Sequence, residues 1–275
     1  MKKLIYAFSL LALIFTSCSS DNNSTPAANN PTTDPSSVLL TKRTYTYSTG
    51  STQVTNEYNY TYNGKKLVKV SLSTTKYQLY TYTGDLITQR DTYNSSNTLL
   101  ETELFSYVND KLDEYVHKIF INTYSGANNI GYRKKYVNNS NVSATYTSYS
   151  GDTVFQNTVM NTGSVTYLPN GELSTNHYVA SGSTSTTDET MTFGDKNSPL
   201  KNIIGYSKII PAIGDRVHGS FNNLVFYKNT TTNNIMVTFE NGYNYAYVYG
   251  SNGFPTSSTE TNLSGASVGT FQYFY

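Results

Sequence analysis

The chain has 275 residues, with 19 lysines and arginines against 18 aspartates and glutamates and a formal net charge of +1. So even a balance gives no electrostatic footprint for nucleic acid, and basic residues cluster only at Arg133–Lys135. There are 27 tyrosines and no tryptophan, and the single cysteine, Cys18, excludes a disulfide within the chain.

The first element in chain order is a leader. Lys2 and Lys3 precede an apolar run from Leu4 to Phe15 and the small residues Thr16 and Ser17. That is the order of a secretory signal peptide, and the run is too short to span a bilayer as a permanent helix. The "FTSC" that ends at Cys18 resembles a bacterial lipobox, with Phe15 standing where leucine is usual. The resemblance implies that residues 1–17 are removed and that the Cys18 thiol is diacylated, with palmitate-type chains. Two or three such chains anchor a protein stably, because each buried methylene adds about 0.8 kcal/mol. Residues 18–41 then form the lipidated cysteine and a disordered tether, because Ser19–Ser37 is polar and carries Pro26, Pro31 and Pro35. Ser20-Asp21 is similar to the serine-plus-acid signals that send Bacteroidota lipoproteins to the cell surface. The location this implies is the outer membrane, lipid-anchored, with a cell-surface and a periplasmic orientation both open. No later segment has eighteen consecutive apolar residues, so the lipid is the expected membrane attachment.

Residues 42–275 read as one all-β domain. No window keeps an i, i+3, i+4 apolar stripe, whereas period-two alternation is everywhere. Turn steps interrupt it at Asn63-Gly64, Thr83-Gly84, Asn109-Asp110, Ser150-Gly151, Asn170-Gly171, Asn241-Gly242 and Asn252-Gly253. Tyr62, Tyr82 and Tyr107 recur at the length of one hairpin. The expected architecture is a large twisted antiparallel meander of roughly fourteen strands, a β super-roll or open barrel. Asn197–Gly214 is more aliphatic and predicts a short helix or a crossover covering a sheet edge.

Register assigns the tyrosines to faces. Around "YNYTYNGKKLV", Tyr58, Tyr60 and Tyr62 alternate with polar residues, and a two- or four-residue loop returns Leu67 beside them. Those tyrosines are core residues. Around "NIMVTFENGYNYAYVYG", a turn at Asn241-Gly242 gathers Ile235, Val237, Phe239, Ala246 and Val248 on one face. That face predicts a core, and it leaves Tyr243, Tyr245, Tyr247 and Tyr249 on an accessible face as the candidate ligand-binding residues.

The segments "YNYTYNGKKLVKV", "YTYTGDLI" and "FSYVNDKLDEY" resemble tyrosine-aspartate (YD/RHS-like) repeats, whose unit is an aromatic strand, a turn and an aliphatic return strand. "TFGDKNSPLKNI" and "YVYGSNGFPTSST" are similar to segments of a Bacteroidota cell-envelope lipoprotein family that joins such repeats to a lipobox and a polar tether. The resemblance implies an antiparallel β super-roll and no particular activity. Asn63, Thr83 and Ser150 stand where the repeat's turn aspartate is expected.

Chemistry-bearing motifs are few. His117, His177 and His218 share no zinc-ligand spacing, and the chain holds neither a G-x-S-x-G elbow nor a phosphate loop. No metal or other cofactor is expected. Glu101 and Glu103 in "LETEL" predict a solvated strand face, Asp110, Asp113 and Glu114 a charged turn, and Asp188-Glu189 a loop. "DTV" at Asp152–Val154 resembles a Bacteroidota O-glycosylation acceptor, at Thr153. The expected function is a non-catalytic surface scaffold or binding module for an extended glycan or protein. Two other readings stand beside it: a carrier of an apolar molecule inside an open barrel, and a carbohydrate-active hydrolase using two carboxylates.

Overall fold

A computed structural model describes residues 34–121, 126, 129–214, 217–233 and 236–275. The signal peptide, Cys18 and most of the tether lie outside the described residues, as does Ile235. The first hairpins are β1 (Lys42–Thr49) with β2 (Thr52–Asn63), β3 (Lys66–Ser71) with β4 (Lys76–Thr83), and β5 (Leu86–Asn94) with β6 (Leu99–Val108). The wall continues through β7 (Lys111–Ile119), β8 (Ile130–Asn138), β9 (Ser143–Asp152), β10 (Gln156–Tyr167), β11 (Leu173–Ala180) and β12 (Ser185–Asn197). After helix α1 (Tyr206–Ile213) come β13 (Asn222–Asn233), β14 (Met236–Tyr249), β15 (Pro255–Asn262) and β16 (Ser267–Phe274).

Every strand pairs antiparallel with its chain neighbours, and β1 pairs with β16 from Lys42 opposite Phe274 to Tyr47 opposite Gly269. The expected antiparallel meander is present, and it closes into a barrel of sixteen strands where roughly fourteen were expected. Closure leaves the wall no unpaired edge. The inward side holds Leu67, Val70, Tyr80, Ile87, Phe105, Tyr115, Tyr146, Tyr245 and Phe271 in one apolar cluster. The outward side carries Thr44, Thr46, Gln53, Thr55, Glu57 and Asn59 on the first hairpin alone.

The opening repeat behaves as its register requires. Tyr62 pairs with Leu67 across a two-residue loop, and Leu67 is 0% exposed. Tyr82 with Ile87 and Tyr107 with Leu112 repeat the pairing, each after a one-residue bulge. Asn109 and Asp110 both take positive φ, the type I′ turn expected at that step.

The β14 region departs from expectation. Asn241-Gly242 is not a turn; β14 runs straight through it, and the chain reverses between Asn233 and Met236. Gly242 is there for close approach, because a Cβ would lie 2.4 Å from the Tyr227 carbonyl oxygen. Strands of 12 and 13 residues in β13 and β12 require a partner of equal length, and this tertiary demand overrides the local turn signal. The expected core residues Val237 and Val248 are 58% and 61% exposed, and Phe239 is 52% exposed.

Alternate hairpins turn at alternate ends of the barrel. Residues 198–214, with α1, and 217–221 lie across the end that also receives the N-terminal segment. Ile204 N–H donates to the Lys65 carbonyl, Tyr136 Oη donates to the Pro211 carbonyl, and Ile209 is buried. This crossover plugs the barrel mouth instead of covering an edge. Val38 and Leu40, at the end of the expected tether, are buried, and Leu40 belongs to the core.

Burial pushes the phenols of Tyr62, Tyr82, Tyr107 and Tyr115 above their ordinary value. A phenol whose folded pKa exceeds its unfolded value near 10 contributes stability that is complete below about pH 10 and lost as pH rises through it. Alkaline titration followed at 295 nm should therefore show these tyrosines ionising together with loss of the β circular-dichroism signal. Ionisation centred on pH 10 with the β signal intact would contradict this. Leu67→Ala should cost about 2–5 kcal/mol in denaturant unfolding.

Candidate functional site in the lumen and on the outer wall

Tyr243, Tyr245, Tyr247 and Tyr249 line the lumen and offer no accessible outer face. Tyr245 is 5% exposed and donates to Glu260 Oε1 at 3.1 Å. Tyr243 stacks on Tyr227 with ring centroids 6.5 Å apart, Tyr247 donates to the Leu224 carbonyl at 2.9 Å, and Tyr249 Oη accepts from Asn223. The strand running through Gly242 puts Phe239 on the face of Tyr243 and leaves Ala246 and Val248 on the face of Glu240, so the aliphatic face that would have held the tyrosines outward does not form.

Among the described residues, four carboxylates are buried, each with its own donors. Glu103 is ion-paired with Arg90 and accepts from Tyr115 Oη at 2.7 Å. Glu189 accepts from Tyr227 Oη at 3.0 Å and from Asn176 at 2.7 Å. Glu260 accepts from Tyr45 Oη at 2.7 Å as well as from Tyr245. Glu172 takes the backbone N–H groups of Ser220, Phe221 and Asn222, and so ties the end of the plug to the rim. A buried charge is tolerated only with such partners.

Glu101 and Glu103 face the lumen, not solvent, because their cross-strand partners Thr92 and Arg90 are inward residues. Two residues apart on one strand face, they stand roughly 6.6–7 Å apart along the backbone, within the range of a glycosidase pair. The surroundings of Glu101 do not match that chemistry. A hydrogen bond from His117, at 3.1 Å, holds the Glu101 carboxyl below its ordinary range, whereas a general acid must be held above it. Glu103 is engaged by Arg90 and Tyr115.

The remaining expected residues are dispersed. His117 faces the lumen, His177 is on the outer wall 2.7 Å from Asp188, and His218 is buried in the plug segment beside Arg43 at 3.2 Å. Asp188 and Glu189 are on β12 and face opposite sides, not in a loop. Asp113 and Glu114 pair with Lys135 and Arg133 on the outer wall. Thr153 lies in the β9–β10 turn, where Asp152 Oδ1 accepts from the N–H groups of Val154 and Phe155 at 2.7 Å. Among the described residues, no three His, Cys, Asp or Glu side chains form a metal-binding group.

Two concavities matter most. Inside, a space of about 260 Å³ lies between the plug and the wall, bordered by Arg43, Tyr58, Tyr80, Arg90 and Tyr206. Outside, a groove of about 570 Å³ crosses β8 to β11 and is lined by Lys135, Val137, Thr147, Tyr149, Thr162 and His177. The outward alternation of those residues is readable in sequence, but the concavity is not.

The class defined is a plugged, sixteen-stranded antiparallel barrel with a tyrosine-filled interior. Its fold is similar to that of a porin-like protein from Bacteroides vulgatus, at 12% identity over 86% of this chain and 98% of that one, with a TM-score of 0.55. A porin-like protein from Bacteroides uniformis aligns at 14% identity over 86% and 97% of the two chains, with a TM-score of 0.44. No protein-family model and no curated protein matches the sequence. The first likeness, at that identity, is one of fold.

Glu103→Ala should cost about 3–5 kcal/mol in urea unfolding, because it leaves the Arg90 guanidinium uncompensated inside the wall. A loss below about 1 kcal/mol would show that the pair is hydrated rather than buried.

Proposed function

We propose that the protein is a lipid-anchored, non-catalytic binding module of the bacterial outer membrane whose barrel stands in water. One observation carries this reading: the polarity of the wall. A membrane-spanning barrel turns an apolar band roughly 25 Å tall toward lipid. Here the outer face instead carries the ion pairs Lys228–Glu240, Lys135–Asp113 and His177–Asp188 among threonines and serines. The clustered apolar side chains, Leu67, Ile87 and Phe105 among them, point inward, whereas Val137, Val237 and Val248 stand exposed between those polar residues.

The porin-like description therefore belongs to the neighbours, and the barrel fold does not bring it here. An extended glycan or protein binding the outer wall is favoured over an apolar cargo. The inner space is below the roughly 300–1,000 Å³ of ordinary small-molecule sites, and two arginines border it. Partner-bound carboxylates supply no free acid for hydrolysis. The lipobox at Cys18 supplies the anchor and the leader the export route.

In Triton X-114 partitioning, the native protein should enter the detergent phase and carry labelled palmitate. Cys18→Ala should lose the label and be recovered folded in the aqueous phase. If that variant still requires detergent, the barrel itself is in the membrane and the reading fails.

A further inference from the structure

The outer groove has a structural origin. β10 shifts register twice against β9, between Gln156 and Thr158 and between Val159 and Asn161. Beyond these bulges stands Gly163, on the lumen side and paired with Tyr146. A Cβ there would lie 2.6 Å from the Tyr146 ring and 2.4 Å from the His177 carbonyl oxygen. With the side chain missing, Tyr146 covers the glycine from inside. Bulges and a glycine kink are the devices that bend a sheet, and here they coincide with the concave stretch of the outer wall.

The chemistry of that groove is specific. Thr145 and Thr147 on β9, and Thr162 and Ser164 on β10, present hydroxyls to it. Tyr149 adds an aromatic side chain held by the Arg133 guanidinium, 4.3 Å from the ring centroid. Val137 and Val179 add aliphatic surface. The charges beside it are already matched: Lys135 with Asp113, Arg133 with Glu114 and His177 with Asp188. A polyanion would meet those carboxylates, and a polycation would meet Lys135 and Arg133. The surface left is uncharged, rich in hydroxyls and partly aromatic.

We propose that this groove is a binding site for a neutral saccharide chain of a few units. A pyranose ring has an apolar C–H face that stacks on an aromatic side chain and a hydroxyl edge that exchanges hydrogen bonds with threonine and serine. The volume of about 570 Å³ lies within the range of small-molecule clefts. The assignment rests on the reading of the barrel as a water-exposed binding module and names the ligand class and its place.

The test is calorimetric titration of the full-length Cys18→Ala protein against neutral tetrasaccharides with gluco-, manno-, galacto- and N-acetylglucosamine linkages. At least one should bind. Tyr149→Ala should weaken it about five- to tenfold, the size of one lost stacking contact. Thr147→Val with Thr162→Val, which keeps the branched strand shape and removes two hydroxyls, should weaken it comparably with an unchanged circular-dichroism spectrum. Binding that survives both variants at full affinity overturns the groove while leaving a binding module with its site elsewhere. Failure of every tetrasaccharide to bind overturns the saccharide assignment, and detergent partitioning of the native protein tells independently whether the anchored, water-exposed reading stands.

Discussion

The structure depends on where a buried tyrosine hydroxyl finds its partner. Sixteen strands enclose a lumen wide enough for an aqueous channel, which aliphatic side chains alone would leave underfilled. Tyrosine supplies the reach, but its hydroxyl must be bonded when the ring is buried. The repeats meet that demand with their own irregularities. The bulges of the first three repeats interrupt the ladder beside an aliphatic residue. The last tyrosine of the following hairpin bonds at the first two, and Asn138 Nδ2 donates to the Leu112 carbonyl at the third. Tyr82 Oη accepts from Leu67 N–H at 3.0 Å, and Tyr107 Oη donates to the Ile87 carbonyl at 2.7 Å. Tyr62 reaches the Leu40 carbonyl in the same way, joining the incoming N-terminal segment to the wall.

The lumen carboxylates extend the same logic deeper. Where no backbone group is within reach, Glu260 collects Tyr45 and Tyr245, Glu189 collects Tyr227, and Glu103 collects Tyr115. A tyrosine-rich interior thus needs acceptors, and a buried carboxylate needs donors. Each makes the other tolerable. This reciprocity explains why Glu103, Glu189 and Glu260 can face inward.

The plug and the wall divide the remaining work. Residues 198–214 and 217–221 pack at the mouth where the N-terminal segment enters, and Glu172 fastens the end of that crossover by three backbone N–H groups. On the outer wall the sheet is not uniformly convex: the bulges of β10 and the bare Gly163 bend it beneath a hydroxyl-lined groove.

Much of this was legible from residues alone. Period-two alternation defined an all-β chain, and the recurring Tyr-Thr-Tyr, turn and aliphatic unit placed Tyr62 beside Leu67. Local pairing decides such features, so a short stretch contains the information. Only the tertiary structure decided which way β14 faces. Asn241-Gly242 is a strong local turn signal, yet the length of β12 and β13 and the close approach of the Tyr227 backbone keep the strand continuous there. That continuity leaves Val248 on the exposed face and Tyr243 to Tyr249 on the lumen face, while the register shift between Thr231 and Thr232 turns Val237 outward. Closure through β1 and β16, the inward turn of Glu101 and Glu103, and the dent outside Gly163 belong to the same class. Each is set by partners distant in sequence, and strand alternation reports that a residue has two possible faces without saying which one the finished barrel encloses.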